Sequence, residues 1–260
     1  MQTIGHAKKK GGQGNSITAL ATASALGLLG KKVLFFDLDP QCNVTYSLLK
    51  GRTIQPEITN LKATVFDLLT DPKKEVGKIM RKTREHNVWL VPSSTYLDDG
   101  DKDKAIFDIP NYERLLLQRR DEIEKLGFDY VIFDSPPVNS RLKKIVMYAS
   151  DRIVIAYDPS EWAYMGIHGL IDELLEVSSQ LEKKIHVGVL ITMMDRTRIK
   201  REWADKVRED LGSYVYNTEI SYSHMVRRAE GASQSIIRYA PKDIASNDYI
   251  SFIQELLNHE

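Results

Sequence analysis

The amino-acid sequence predicts an α/β protein built on a doubly wound, mostly parallel sheet with helices on both faces. Three observations carry that expectation. Short apolar runs rich in β-branched and aromatic residues recur along the chain, helical patterns separate them, and several runs are followed directly by aspartate, glycine or proline.

Taken in order, a first strand is expected around His6, ahead of a glycine-rich segment that starts at Lys10. Ser16 to Leu29 is rich in Ala and Leu, which give up little freedom in a helix. Val33-Leu34-Phe35-Phe36 reads as a buried strand, and Val88-Trp89-Leu90-Val91, stopped by Pro92, as another. The hydrophilic residues 97–104, LDDGDKDK, read as an exposed loop, and the charged, amphipathic residues 111–126 as a helix. Tyr130-Val131-Ile132-Phe133 and Ile153-Val154-Ile155-Ala156-Tyr157 are strands, Gly166 to Leu181 repeats apolar residues at helical spacing, and Val187-Gly188-Val189-Leu190-Ile191 is a further strand. No stretch has the composition of a linker and no internal repeat is visible, so residues 1–260 are expected to form a single domain. Trp89, Trp162 and Trp203 read as packing residues, and His6 as a buried residue with satisfied neighbours.

Composition excludes several classes. With 36 basic and 36 acidic residues the chain has no molecule-wide basic field, so any contact with nucleic acid must come from a local patch. One cysteine, Cys42, cannot build an internal disulfide, a thiolate zinc site or an iron–sulfur cluster, and it fits a reducing cytoplasm. No run of about 18 apolar residues is present, and MQTIGHAKKKGG lacks the apolar core of a secretory signal.

In an open α/β sheet, ligands collect where the strands deliver their carboxyl ends. At the first such place stand Lys10-Gly11-Gly12-Gln13-Gly14-Asn15-Ser16-Ile17, running into the Ala-rich helix. Glycines let successive N–H groups turn inward around phosphate oxygens, and the helix N-terminus adds partial positive charge. A glycine-rich turn capped by Ser16 would look the same in isolation. The next two places narrow the reading: Asp37-Leu38-Asp39-Pro40-Gln41-Cys42-Asn43 follows one strand and Asp134-Ser135-Pro136-Pro137 another. Carboxylates at buried strand ends are costly unless a cation or hydrogen bonds hold them, and a magnesium nucleotide would do so. Ser135 beside Asp134 has no histidine placed with it by any motif, so serine-hydrolase chemistry finds no support.

Together these segments resemble the boxes of ParA-type partition ATPases, P-loop NTPases with a deviant Walker A motif. Lys10 to Ser16 is similar to that Walker A box, Asp37 to Asn43 to the second box, and Phe128 to Pro137 to the Walker B segment. Glu161-Trp162-Ala163-Tyr164-Met165-Gly166 and Thr192-Met193-Met194-Asp195-Arg196-Thr197 extend the likeness over nearly the whole chain. The resemblance implies ATP or ADP with Mg²⁺ as cofactors, the cradle formed by Gly11, Gly12 and Gly14, and Lys10 as the signature lysine reaching across a nucleotide-sandwich homodimer. It further implies Ser16 and Asp37 as direct and indirect magnesium contacts, Asp134 as the Walker B carboxylate, Asp39 as the group orienting the attacking water, and Met193 and Asp195 as candidate walls for the base.

One position departs from the pattern. The family carries a lysine where this chain has Asn15, and an uncharged amide cannot replace an ammonium on the β- and γ-phosphates. Hydrolysis is expected to suffer more than binding. An engineered substitution, a natural homologue without efficient turnover, and compensation by Lys8, Lys9 or a partner subunit all remain open. The family's proline and arginine near Ile220-Ser221-Tyr222, and its glycine and lysine near Ser235-Ile236, are also missing.

The resemblance implies nonspecific DNA and a ParB-like centromere-binding or adaptor protein as partners, and a nucleoid-associated place in the cytoplasm. Arg227, Arg228, Arg238 and Lys242, against Glu230, form the first candidate DNA surface; Arg196, Arg198, Lys200 and Arg201 form a second that acids soon follow. A membrane-positioning relative resembling MinD would need a basic amphipathic tail. Residues 248–257 are amphipathic but acidic, so packing against the domain is expected and a membrane partner is not. A nucleotide-binding regulator or scaffold without turnover, acting through protein contacts, is the other reading.

Overall fold

In a computed structural model, residues 1–7, 14–49, 63–136 and 141–258 are described. Eight strands form one sheet: β1 (Gln2–Ala7), β2 (Val33–Asp37), β3 (Arg81–Lys82), β4 (Val88–Val91), β5 (Tyr130–Asp134), β6 (Arg152–Tyr157), β7 (His186–Met194) and β8 (Val215–Ser221). Their spatial order is β3-β4-β2-β5-β1-β6-β7-β8. Among the described residues only the β3–β4 pair is antiparallel. The helices are α1 (Asn15–Leu28), α2 (Asn43–Leu49), α3 (Val65–Thr70), α4 (Val76–Ile79), α5 (Lys104–Phe107), α6 (Arg120–Lys125), α7 (Arg141–Ala149), α8 (Glu161–Gln180), α9 (Arg198–Leu211), α10 (His224–Gly231), α11 (Ile236–Tyr239) and α12 (Ile244–Asn258).

Alternation along the strands feeds two apolar layers. Leu34, Phe36, Val131, Phe133, Ile153 and Ile155 enter one, with Leu68 of α3, Val146 of α7 and Leu170 of α8. Val33, Phe35, Ile132 and Val154 enter the other, with Ala19 and Leu26 of α1 and Phe252 of α12. Burial on both faces is why the strands read as continuous apolar runs. The close fit of α1 depends on Gly27, where an added Cβ would lie 2.0 Å from the carbonyl oxygen of His86.

The expected strands are all present, and β7 runs three residues beyond the expected Ile191, which makes Thr192 and Met193 part of it. The helix expected over 166–181 begins at Glu161 instead, because Ser160 accepts a hydrogen bond from the Ala163 N–H and caps it. The helix expected over 111–126 is corrected: Tyr112–Arg114 and Leu117–Arg119 are 3₁₀ turns and only Arg120–Lys125 is α-helical. There the Arg119 guanidinium reaches out to the carbonyls of Leu68, Asp71 and Pro72, and Leu116 turns into the core. Within 97–104, Leu97 is buried and Lys104 already belongs to α5, while most of the rest is exposed. Trp89 packs edge-on against Phe128 and Trp203 lies against Tyr164, but Trp162 is 69% exposed and is not a core residue.

The amphipathic tail packs as expected. Tyr249, Phe252, Ile253 and Leu256 of α12 are buried, and Glu255 accepts from the N–H groups of Asn217 and Thr218 at the sheet edge. No helix among the described residues is long and apolar enough to cross a membrane.

Candidate functional site

β1 lies between β5 and β6, and the chain leaves it for β2 on one side and later fills β6 on the other. The crevice beyond its carboxyl end is therefore the place where this fold accepts ligands. Lys8, Lys9, Lys10, Gly11, Gly12 and Gln13 lie outside the described residues, as does Pro137. Gly14 has a φ of 73°, a left-handed turn suited to glycine, and it delivers the chain into α1 at Asn15, Ser16 and Ile17.

Asn15 is 1% exposed. Its Nδ2 donates to Asp134 Oδ1 at 3.0 Å and to the His6 carbonyl at 3.3 Å, while its Oδ1 is buried without a partner among the described residues. The Ser135 hydroxyl donates to the same His6 carbonyl at 2.7 Å. The start of α1 is thus tied to the ends of β1 and β5.

Asp37 and Asp134 are partners in the β2–β5 ladder and both are fully buried. Asp37 accepts from the Thr45 N–H and hydroxyl, each at 2.7 Å, and from the Asp39 N–H at 3.1 Å. Burial, assisted by the Asp39 charge, pushes the Asp37 carboxyl up to about 7 despite the Thr45 bonds that oppose the shift. Asp39, also buried, accepts from the Gln41 N–H at 2.9 Å, and its carbonyl takes the Ser93 hydroxyl. Two acids on neighbouring strands, with a third two residues on, form an oxygen-rich corner that a hard cation would neutralise. Among the described residues no three His, Cys, Asp or Glu side chains gather as a metal cluster, so an ion here would take few protein carboxylates.

His6 corrects an expectation. It is fully buried, neither ring nitrogen has a partner among the described residues, and burial depresses its ring to about 3. By strand alternation His6 shares the face of Ile4, which packs in the apolar layer between the sheet and α1.

A cavity of about 310 Å³ opens beside the phosphate loop, with Gly14, Ser16, Met193, Ser221, Tyr222 and Arg227 on its walls. A second, of about 270 Å³, adjoins it across Ser16 and Ile17 and reaches Tyr46 and Gln234. Asp195 does not line the first cavity: it is exposed, and its carboxylate accepts the N–H and hydroxyl of Thr197 ahead of α9. Thr45, Ser93 and Tyr222 were not read as site residues. Only the tertiary structure brings Thr45 and Ser93 to the second acidic box, although Tyr222 occupies the segment where the family's proline is absent.

Arg227 and Arg228 of α10, Arg238 of α11 and Lys242 are exposed. Arg238 also donates to the Arg84 carbonyl. Among the described residues Arg227, Arg228 and Lys242 form no ion pair, whereas the second cluster is largely neutralised: Arg198 pairs with Glu202, Lys200 with Asp158, and Arg201 with Glu219.

The fold is that of P-loop NTPases of the ParA/MinD kind. A family model described as an AAA domain matches residues 1–187, and the chain belongs to that family as a ParA-type partition ATPase homologue. It is 29% identical over 251 residues to the sporulation initiation inhibitor protein Soj of Bacillus subtilis, covering 95% of each chain. It is 26% identical over 266 residues to the chromosome partitioning protein ParA of Caulobacter vibrioides, covering all of this chain and 95% of that one. An ATP complex of Cyanothece McdA has the same fold, with a TM-score of 0.79 at 22% identity over 99% of this chain and 96% of that one.

Proposed function

We propose that this protein is an ATP-binding partition or positioning protein: a nucleotide-sandwich homodimer that holds nonspecific DNA, with hydrolysis impaired by Asn15. The observation that carries the reading is the buried Asp37–Asp134 pair set against the start of α1, where Asn15 binds Asp134 directly. The chromosome-partitioning relative and the ATP-bound neighbour support it.

In this reading Gly11, Gly12, Gly14 and the first N–H groups of α1 bind phosphate oxygens. The acidic corner fits Mg²⁺, which prefers oxygen donors and keeps several waters. Ser16 would hold it directly, Asp37 through water because its oxygens are taken by Thr45 and Asp39, and Asp134 at the end of β5. Bound, the ion neutralises phosphate charge. Asp39 would orient water and Lys10 reach the partner subunit. Met193 would wall the base, whereas Asp195 is exposed, accepts the N–H and hydroxyl of Thr197 ahead of α9, and is not assigned there. Arg227, Arg228, Arg238 and Lys242 would meet DNA phosphates, and a ParB-like adaptor would stimulate turnover.

A scaffold reading without turnover is favoured by one observation: the Asn15 amide is already committed to Asp134 and His6. Calorimetry with Mg-ATP and Mg-ADP tests the shared claim, and absence of binding at millimolar nucleotide would end it. Phosphate release in the presence of DNA separates the two readings.

A further inference from the structure

Met193 adopts a backbone conformation that methionine rarely takes. Its φ is 54°, in the left-handed region, which costs a non-glycine residue about 1–3 kcal/mol unless its surroundings enforce it. The Met193 methyl group lies 3.2 Å from the point where a Cβ on Gly14 would stand, so the side chain closes onto the end of the phosphate loop. The same residue walls the 310 Å³ cavity together with Tyr222, whose N–H is fixed at 2.7 Å to the Met194 carbonyl.

The Met193 carbonyl is held by Lys200. Its ammonium donates to the Met193 carbonyl and, at 2.8 Å, to Asp158 Oδ1 just beyond β6. A cation in the first turn of a helix opposes the helix dipole. Here the two oxygens offset that cost, and the site is sheltered, with the side chains of Lys200 and Asp158 19% and 31% exposed. One ammonium therefore ties the ends of the adjacent strands β6 and β7 to α9.

We propose that Lys200 is a positioning residue for nucleoside recognition: anchored by Asp158, it holds the Met193 carbonyl, fixes the left-handed turn, and so sets the Met193 side chain as the wall against which the base and ribose lie. The proposal rests on the nucleotide-binding reading above and adds to it a residue remote from the phosphates. Lys200 touches no nucleotide; it acts through Met193.

The test is calorimetric, with Mg-ATP and with magnesium tripolyphosphate, which offers the phosphates without a nucleoside. Lys200→Met is expected to weaken ATP about tenfold, the loss of roughly one charge-assisted contact, and to leave tripolyphosphate unchanged. Lys200→Arg keeps a cation within reach of both oxygens and is expected to retain most of the affinity. Met193→Gly, which adopts the turn without help, should itself bind ATP less well, and adding Lys200→Met to it should cost nothing more. Equal losses for ATP and tripolyphosphate, or losses that multiply in the double variant, would overturn the proposal while leaving nucleotide binding intact. Failure of the unsubstituted protein to bind ATP at all would remove both. Melting curves by circular dichroism confirm that each variant is folded, and Lys200→Arg carries the test if Lys200→Met is not.

Discussion

Restoring a lysine at position 15 is the perturbation with the largest expected effect. Asn15 donates to Asp134 at 3.0 Å and to the His6 carbonyl at 3.3 Å, and leaves a buried Oδ1 with no partner among the described residues. An unpaired buried acceptor costs about 1–3 kcal/mol, and Asn15→Lys removes it. The lysine ammonium is costly to bury, but Asp134 and its ladder neighbour Asp37 sit at the same strand ends to offset that cost. A charge-assisted contact to the phosphates worth about 1.5–3 kcal/mol, less the cost of burying the ammonium, tightens ATP by roughly tenfold. A donor aimed at charge that develops in the transition state does more, so hydrolysis should rise on the order of a hundredfold. Phosphate release at saturating Mg-ATP, with and without DNA, measures it. If Asn15→Lys binds ATP and hydrolyses it no faster than the unsubstituted protein, the assignment of this position is wrong.

The remaining predictions concern the buried histidine and the basic patch. His6 has a folded-state value of about 3, below its ordinary 6.5, so the unfolded chain takes up a proton that the folded one refuses. Its contribution to stability is therefore intact above pH 6.5 and is lost as pH falls toward 3. His6→Leu should raise the thermal midpoint at pH 5, by about 2 kcal/mol in stability, and change it much less at pH 8; an equal gain at both values would refute the titration argument. Asp37 works the other way. Its carboxyl is raised from 3.8 to about 7, so its stabilising share is complete below pH 3.8 and declines as pH rises through 7. In the His6→Leu protein, where the opposing histidine is gone, the midpoint should fall as pH rises from 5 to 7 and level off by pH 8. Finally, Arg228→Gln with Lys242→Gln should lower the slope of log affinity against log salt for duplex DNA by about two, with no change in ATP binding; an unaltered slope would place the DNA surface elsewhere.

The fold was largely legible in the chain because strands buried on both faces must be apolar throughout. Val33–Phe36, Tyr130–Phe133 and Ile153–Tyr157 could be recognised without a partner in view. The acidic boxes after two of those strands were legible for a complementary reason, since an aspartate at the end of an apolar run is conspicuous. Residues 111–126 were misread because amphipathic charge spacing is shared by α and 3₁₀ turns, and the Arg119 contacts with distant carbonyls decide between them. The start of α8 was missed because Ser160 acts as a cap only through a single side-chain bond.

By itself the sequence determined the strand–helix alternation, the glycine-rich entry to α1, and the presence of Asp37, Asp39, Asp134 and Asn15 at strand and helix ends. These depend on local pattern, which any one segment carries. Tertiary structure alone decided that Asn15 grips Asp134, that Asp37 is neighbour to Asp134 and bound by Thr45, that His6 lacks a partner among the described residues, and that Lys200 holds Met193 against Gly14. Such pairings join residues 7 to 179 positions apart, and no local pattern can encode which groups a sheet brings together.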